Sequence, residues 1–131
     1  MDGKKILLVE DNPVNRPLAV FLLRSQGYQV REATTAPEAF EMLNAEIPDL
    51  IVMDIQLPGM DGLETTRKLK EQPATADIPV IAVTSYAMKG DREKALAAGC
   101  AGYVTKPIDK NTFIQEVAAH IGKKAKSDGG G

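Results

Sequence analysis

Leu50-Ile51-Val52-Met53-Asp54-Ile55-Gln56-Leu57-Pro58-Gly59 is the stretch that decides how this chain folds. Four apolar residues run without polar alternation, as in a strand covered on both faces. One carboxylate, Asp54, ends the run. A buried carboxylate is costly unless it faces a counter-charge, and an aspartate so placed is also suited to act as a nucleophile. Pro58 and Gly59 constrain the loop that follows, so that a carbonyl such as that of Gln56 can turn toward a cation.

Three further apolar runs end in the same way. Residues 6–9 lead to Glu10-Asp11, residues 80–83 to Thr84-Ser85, and residues 101–104 to Thr105-Lys106-Pro107. As parallel strands of one sheet, the four runs would bring these side chains to a common carboxyl edge. Open α/β sheets bind their ligands there, at a topological switch point. Three carboxylates, a hydroxyl and a lysine in one crevice suit a divalent cation and a transferred phosphoryl group. Each residue also has a plainer use. Asp11 suits a helix cap, Thr84 a β-branched strand position, and Lys106 a surface charge. Lys-Pro directly after a buried strand is the sharpest of the four signals, and Pro107 is a candidate for a cis peptide.

Between the runs lie amphipathic stretches of helical period, giving β-α repeated five times and hence a parallel sheet with helices on both faces. Strand one covers residues 5–9. Helix one follows Asp11-Asn12, with Pro13 in its first turn and Leu18, Phe21 and Leu22 on its buried side. Gly27 suits the left-handed stop after it. Residues 28–33 alternate and read as an edge strand. Thr35 and Pro37 open helix two, with Phe40 and Leu43 facing inward. Strand three is residues 50–53, helix three 63–71, strand four 80–83, helix four 89–98, strand five 102–104 and helix five 110–121. Residues 1–121 therefore form one domain, and residues 122–131 a flexible, polar, Gly-rich tail.

Composition narrows the function. With 131 residues, 44% hydrophobic and 26% charged, the chain reads as one globular domain. No apolar run approaches the roughly 20 residues of a membrane span, and no secretory signal opens the chain, so a cytoplasmic location is expected. Cys100 is the sole cysteine, which excludes an internal disulfide. The net charge is −2, and residues 122–131 carry +2 of it, leaving −4 on the domain. That balance argues against direct DNA binding, which needs a basic footprint. His120, the sole histidine, falls near the end of the last helix, away from the strand edge.

Leu8-Val9-Glu10-Asp11-Asn12, Met53-Asp54-Ile55-Gln56-Leu57-Pro58, Val83-Thr84-Ser85 and Thr105-Lys106-Pro107 resemble the four signatures of the response-regulator receiver domain. The resemblance spans about residues 4–121. It implies a flavodoxin-like (CheY-like), doubly wound α/β fold with a five-stranded parallel sheet, order 2-1-3-4-5, and five helices. It implies that Asp54 accepts a phosphoryl group from a histidine kinase or histidine phosphotransfer protein. Asp11, Asp54 and the Gln56 carbonyl would bind Mg²⁺, or Mn²⁺, with Glu10 helping through water. Thr84 and Lys106 would hold the phosphoryl oxygens. Tyr103 would be the aromatic switch that reorganises the helix 4–strand 5–helix 5 face for a downstream protein. Many receivers carry two aspartates where this chain has Glu10-Asp11, a mild departure. Met53–Pro58, the stretch Ala87-Met88-Lys89-Gly90-Asp91 and the short tail add a likeness to stand-alone cell-cycle regulators of the DivK type, although receivers of hybrid kinases share the motifs.

Such a domain gains and loses its own phosphoryl group and is no turnover enzyme. An aspartyl-phosphate phosphatase would need a second aspartate two residues after the nucleophile, where this chain has Gln56. A flavodoxin would meet repulsion between its flavin phosphate and Glu10-Asp11. Gln56 and Tyr86, each two residues past a site residue, would flank the approach of a hydrolytic water, with the Tyr86 ring slowing dephosphorylation.

Overall fold

The computed structural model describes residues 4–56, 62–85 and 90–121. Its elements are β1 (Lys5–Val9), α1 (Asn15–Ser25), β2 (Gln29–Ala33), α2 (Ala36–Ala45), β3 (Leu50–Asp54), α3 (Gly62–Lys70), β4 (Val80–Thr84), α4 (Asp91–Ala98), β5 (Gly102–Thr105) and α5 (Lys110–His120). All five strands pair in parallel, in the order β2-β1-β3-β4-β5. This is the flavodoxin-like, doubly wound α/β fold.

Strand alternation splits the core in two. Leu7, Val9, Ile51, Met53, Val80 and Ala82 face α2, α3 and α4, meeting Leu43, Leu69 and Ala95. Ile6, Leu8, Leu50, Val52, Ile81 and Val83 face α1 and α5, meeting Leu23, Phe113 and Val117. The central strands are thus buried on both faces, which is why their sequences do not alternate. β2, at the edge, buries only Val30 and Ala33.

Helix α1 corrects two expectations. Its buried residues are Ala19, Val20, Leu22 and Leu23, whereas Phe21 is 68% exposed and Leu18 39%. Residues 18–23 are all apolar, so the sequence does not fix which flank of the helix turns inward; only packing against β1, β2 and α5 does. Pro13 also precedes the helix instead of lying in its first turn. The Asn12 side chain accepts from the N–H groups of Val14 and Asn15, each at 2.8 Å, and Pro17 takes the first-turn place where a missing N–H is tolerated. After α1, Gly27 adopts φ +91, the left-handed stop. In α2, Thr35 caps the helix by accepting from Glu38 N–H at 3.2 Å.

Candidate active site at the carboxyl edge

Asp54 is the last residue of β3 and pairs in register with Val83. The register of β1 with β3 sets Val9 beside Met53, so Glu10 leaves the sheet next to Asp54. Thr84 closes β4 opposite Thr105 of β5, and Lys106 follows, its N–H donating to the Thr84 carbonyl at 2.7 Å. The Lys106–Pro107 peptide is cis. Four strand ends thereby deliver Glu10, Asp54, Thr84 and Lys106 to one edge.

These groups are deeply placed. Glu10 and Asp54 are each 2% exposed and Thr84 is 1% exposed. The Lys106 ammonium lies 3.2 Å from Glu10 Oε2 and 3.3 Å from Asp54 Oδ2. One cation therefore faces two acids. Burial first, then the hydrogen-bonded and like-charged Asp54 carboxylate, pushes Glu10 from 4.5 up to about 7. Lys106 and the N–H of Asn12, 3.2 Å from Glu10 Oε2, oppose that rise. Exposed Asp11 completes the acidic set: Glu10, Asp11 and Asp54 each offer an oxygen within 4.8 Å of the others. Three carboxylate oxygens so close suit a hard divalent cation that keeps several of its waters.

The loop after β3 is held from two sides. Gln56 N–H donates to Asp54 Oδ1 at 3.0 Å, while the Gln56 side-chain oxygen accepts from Ser85 N–H at 3.0 Å. Gly62 N–H donates to the Ile55 carbonyl at 2.7 Å. A Cβ at Gly62 would collide with the Asp54 carbonyl, so only glycine allows α3 to begin this close to the strand. The Ser85–Gln56 contact joins two separate loops, so no local pattern in the sequence announces it. The role of Asn12 as a turn acceptor was readable in principle from Asn12-Pro13, a turn-forming pair.

Tyr103 sits on β5, half-buried, against the core on the α4 side. Tyr86, the expected shield against hydrolysis, lies outside the described residues, as do residues 57–61, Ala87-Met88-Lys89 and the tail at 122–131. His120 is away from the edge and pairs with Glu116 at 3.4 Å on α5. Among the described residues, no helix is long and apolar enough to cross a membrane.

A sequence profile described as the response regulator receiver domain matches residues 6–118. The chain belongs to this family. Among relatives of the receiver, the polar-differentiation response regulator DivK of Brucella ovis is 42% identical over 119 residues, covering 91% of this chain and 97% of that protein. The receiver domain of a sensor histidine kinase from Pseudomonas aeruginosa is 38% identical. It superposes with a TM-score of 0.84 and covers 92% of this chain and 99% of its own. That structure holds a magnesium ion coordinated in its active site cleft. A signal receiver domain of a histidine kinase from Syntrophus aciditrophicus is 33% identical, with a TM-score of 0.82 and 89% of each chain covered. The present receiver is accordingly a DivK-like signalling domain with an acidic pocket at the carboxyl edge of its sheet.

Proposed function

We propose that this receiver is a single-domain response regulator that accepts a phosphoryl group on Asp54 from a histidine kinase or a histidine phosphotransfer protein. The observation that carries the reading is the pair of buried acids, Glu10 and Asp54, sharing Lys106 Nζ at 3.2 and 3.3 Å. In the transfer, the phosphorus–nitrogen bond of a phosphohistidine breaks as a bond forms from an Asp54 carboxylate oxygen to phosphorus. The imidazole leaves with its electron pair and takes up a proton. Asp11, Asp54 and the Gln56 carbonyl would hold Mg²⁺, or Mn²⁺, with Glu10 acting through a metal-bound water. The ion supplies positive charge to the phosphoryl oxygens. Lys106, released from Glu10, pairs with one of those oxygens, and the Thr84 hydroxyl donates to another. Tyr103 follows Thr84 and alters the surface formed by α4, β5 and α5, where a downstream protein binds. Residues 1–121 act as the domain, with residues 122–131 as an appended tail, and the protein works in the cytoplasm.

The likeness to receivers of sensor histidine kinases supports a second reading, in which this receiver serves within a hybrid kinase or a longer regulator. The greater identity to DivK, over 97% of that protein's length, favours the first.

Transfer from a ³²P-labelled histidine phosphotransfer domain tests the reading. Label should pass to the wild type in Mg²⁺ and not to Asp54→Asn. Undiminished labelling of Asp54→Asn would move the acceptor elsewhere. The same variant, freed of one acid beside Glu10, should melt at a higher temperature than the metal-free wild type.

A further inference from the structure

The Thr84–Ser85 peptide is gripped at both ends. Its carbonyl accepts from Lys106 N–H at 2.7 Å, and its N–H donates to the Gln56 side-chain oxygen at 3.0 Å. Gln56 in turn holds Asp54, through its own N–H to Oδ1 at 3.0 Å. One residue thus joins the acceptor carboxylate to the first peptide beyond β4. We propose that the Gln56 carboxamide is a resting-state latch: it occupies Ser85 N–H until a phosphoryl oxygen on Asp54 displaces it.

The proposal rests on the reading of Asp54 as phosphoacceptor and adds a positioning role for the Gln56 side chain. A phosphoryl group brings three strong acceptor oxygens and nearly two negative charges. Hydrogen bonds to such an ionised acceptor are about twice as strong as those between neutral groups. A backbone N–H at the carboxyl end of a parallel strand is also a natural partner for an anion. A neutral carboxamide is therefore an acceptor that holds Ser85 at rest yet yields to phosphoryl oxygen. Ser85 is exposed and Gln56 only half-buried, so the exchange needs no repacking of the core. Release frees the Thr84–Ser85 peptide on the side facing β3 and leaves its tie to Lys106 intact. In this way the state of Asp54 is passed to the chain that leads into α4.

The test uses the full chain and two measurements. The first is hydrogen exchange at the Ser85 amide by NMR, without any anion. Gln56→Met keeps the length of the side chain but removes the acceptor, and Gln56→Ala serves as a second variant should Met disturb the loop. Exchange should rise about tenfold or more in both, and Gln56→Glu, which keeps an acceptor, should retain protection. The second is the affinity for beryllofluoride, a phosphoryl analogue, in Mg²⁺ by calorimetry. Loss of the competing acceptor should tighten binding by roughly fivefold, the net worth of one hydrogen bond. Equal Ser85 exchange in wild type and both acceptor-free variants overturns the latch, as does a freed Ser85 amide with unchanged or weaker beryllofluoride binding. Failure of the wild type itself to bind beryllofluoride would instead overturn the phosphoacceptor reading, with the latch still judged by exchange alone.

Discussion

Strand β1 begins and ends in charge, and its two ends behave in opposite ways. At the amino end, Lys5 and Arg31 both pair with Glu46, and Asp49 accepts from Lys5 N–H at 2.7 Å. At the carboxyl end, Glu10 and Asp54 share Lys106. The first cluster sets two cations around one glutamate whose side chain is 32% exposed. The second sets one cation between two acids that water barely reaches. Glu46 is accordingly held below the ordinary carboxylate range, by its hydrogen bond to Lys5 first and by Arg31 next. Glu10 is pushed up to about 7 by burial and by Asp54. One type of side chain thus moves in opposite directions at the two ends of β1. A satisfied surface cluster has no further need of charge, whereas a buried cluster with surplus acid is set up to take a cation or give up charge.

Removing Lys106 should break the contrast most forcefully. Lys106→Met leaves two buried acids without their counter-charge, and breaking a buried pair costs about 3 kcal/mol or more. Urea denaturation of the metal-free protein at pH 7.5 would register that loss. A loss no greater than that of a surface ion pair would mean that Lys106 does not hold the cluster together. Phosphorylation by acetyl phosphate should slow at least tenfold in the same variant, in keeping with the strength of charge-assisted bonds to phosphoryl oxygen.

Magnesium should sharpen the contrast from the other side. A site that keeps several waters binds at about millimolar strength, so 10 mM Mg²⁺ should stabilise the wild type by roughly 1.4 kcal/mol. Asp11→Ala should lose most of that gain, read as the shift of the thermal midpoint with added Mg²⁺. An undiminished shift in Asp11→Ala would place the ion away from the carboxyl edge. Removing the Glu46 carboxylate, at the opposite end, should leave the Mg²⁺ response as it is.

Much of this is legible in the sequence alone. The unalternated apolar runs at 50–53 and 80–83 marked buried parallel strands, and Asp54 and Lys106 stood out because each ends such a run. The strand order followed from the family resemblance. What stayed hidden depended on packing phase or on contacts between loops. Six consecutive apolar residues at 18–23 carry no phase, so the expected burial of Leu18 and Phe21 fails and both face solvent on α1. The bond from Ser85 to Gln56 joins residues 29 apart in the chain, and no local pattern announces it. The lack of a side chain at Gly62 is what lets α3 start against Asp54, and that close approach joins backbone to backbone with no pattern in the sequence to mark it.

Glu46→Gln is the mild counterpart to Lys106→Met. Exposed pairs are weakened by water and by the entropy of holding long side chains, so the denaturation midpoint should move far less than in Lys106→Met. The sign with pH is set by the lowered acidity range of Glu46. Its pairs stabilise the fold above the ordinary carboxylate range and fade as pH falls through the folded value. Wild type and Glu46→Gln should therefore differ most near neutrality and converge in acid. A midpoint shift as large as that of Lys106→Met would erase the distinction between the two ends of the strand.

Cys100 offers the smallest and most local comparison, a buried acid away from both clusters. Its thiol lies 4.0 Å from the Thr66 hydroxyl, beneath the end of α4, and is 5% exposed. Burial raises it from 9.0 to about 11, against the Thr66 hydrogen bond and nearby Lys70, which act the other way. Like Glu10 it is raised by burial, but with no second acid beside it. The thiolate is the reactive form, and a rise of that size cuts its population about a hundredfold at pH 8. Iodoacetamide should therefore modify native Cys100 at least a hundredfold more slowly than the unfolded chain. The sign for stability follows as well: between pH 9 and about 11 the unfolded thiol ionises first, so the fold loses stability as pH rises. Cys100→Ala should lack that alkaline loss. Rapid alkylation of the native protein at pH 8, with Cys100→Ala and wild type equally sensitive to alkali, would show that the thiol is neither sealed nor raised.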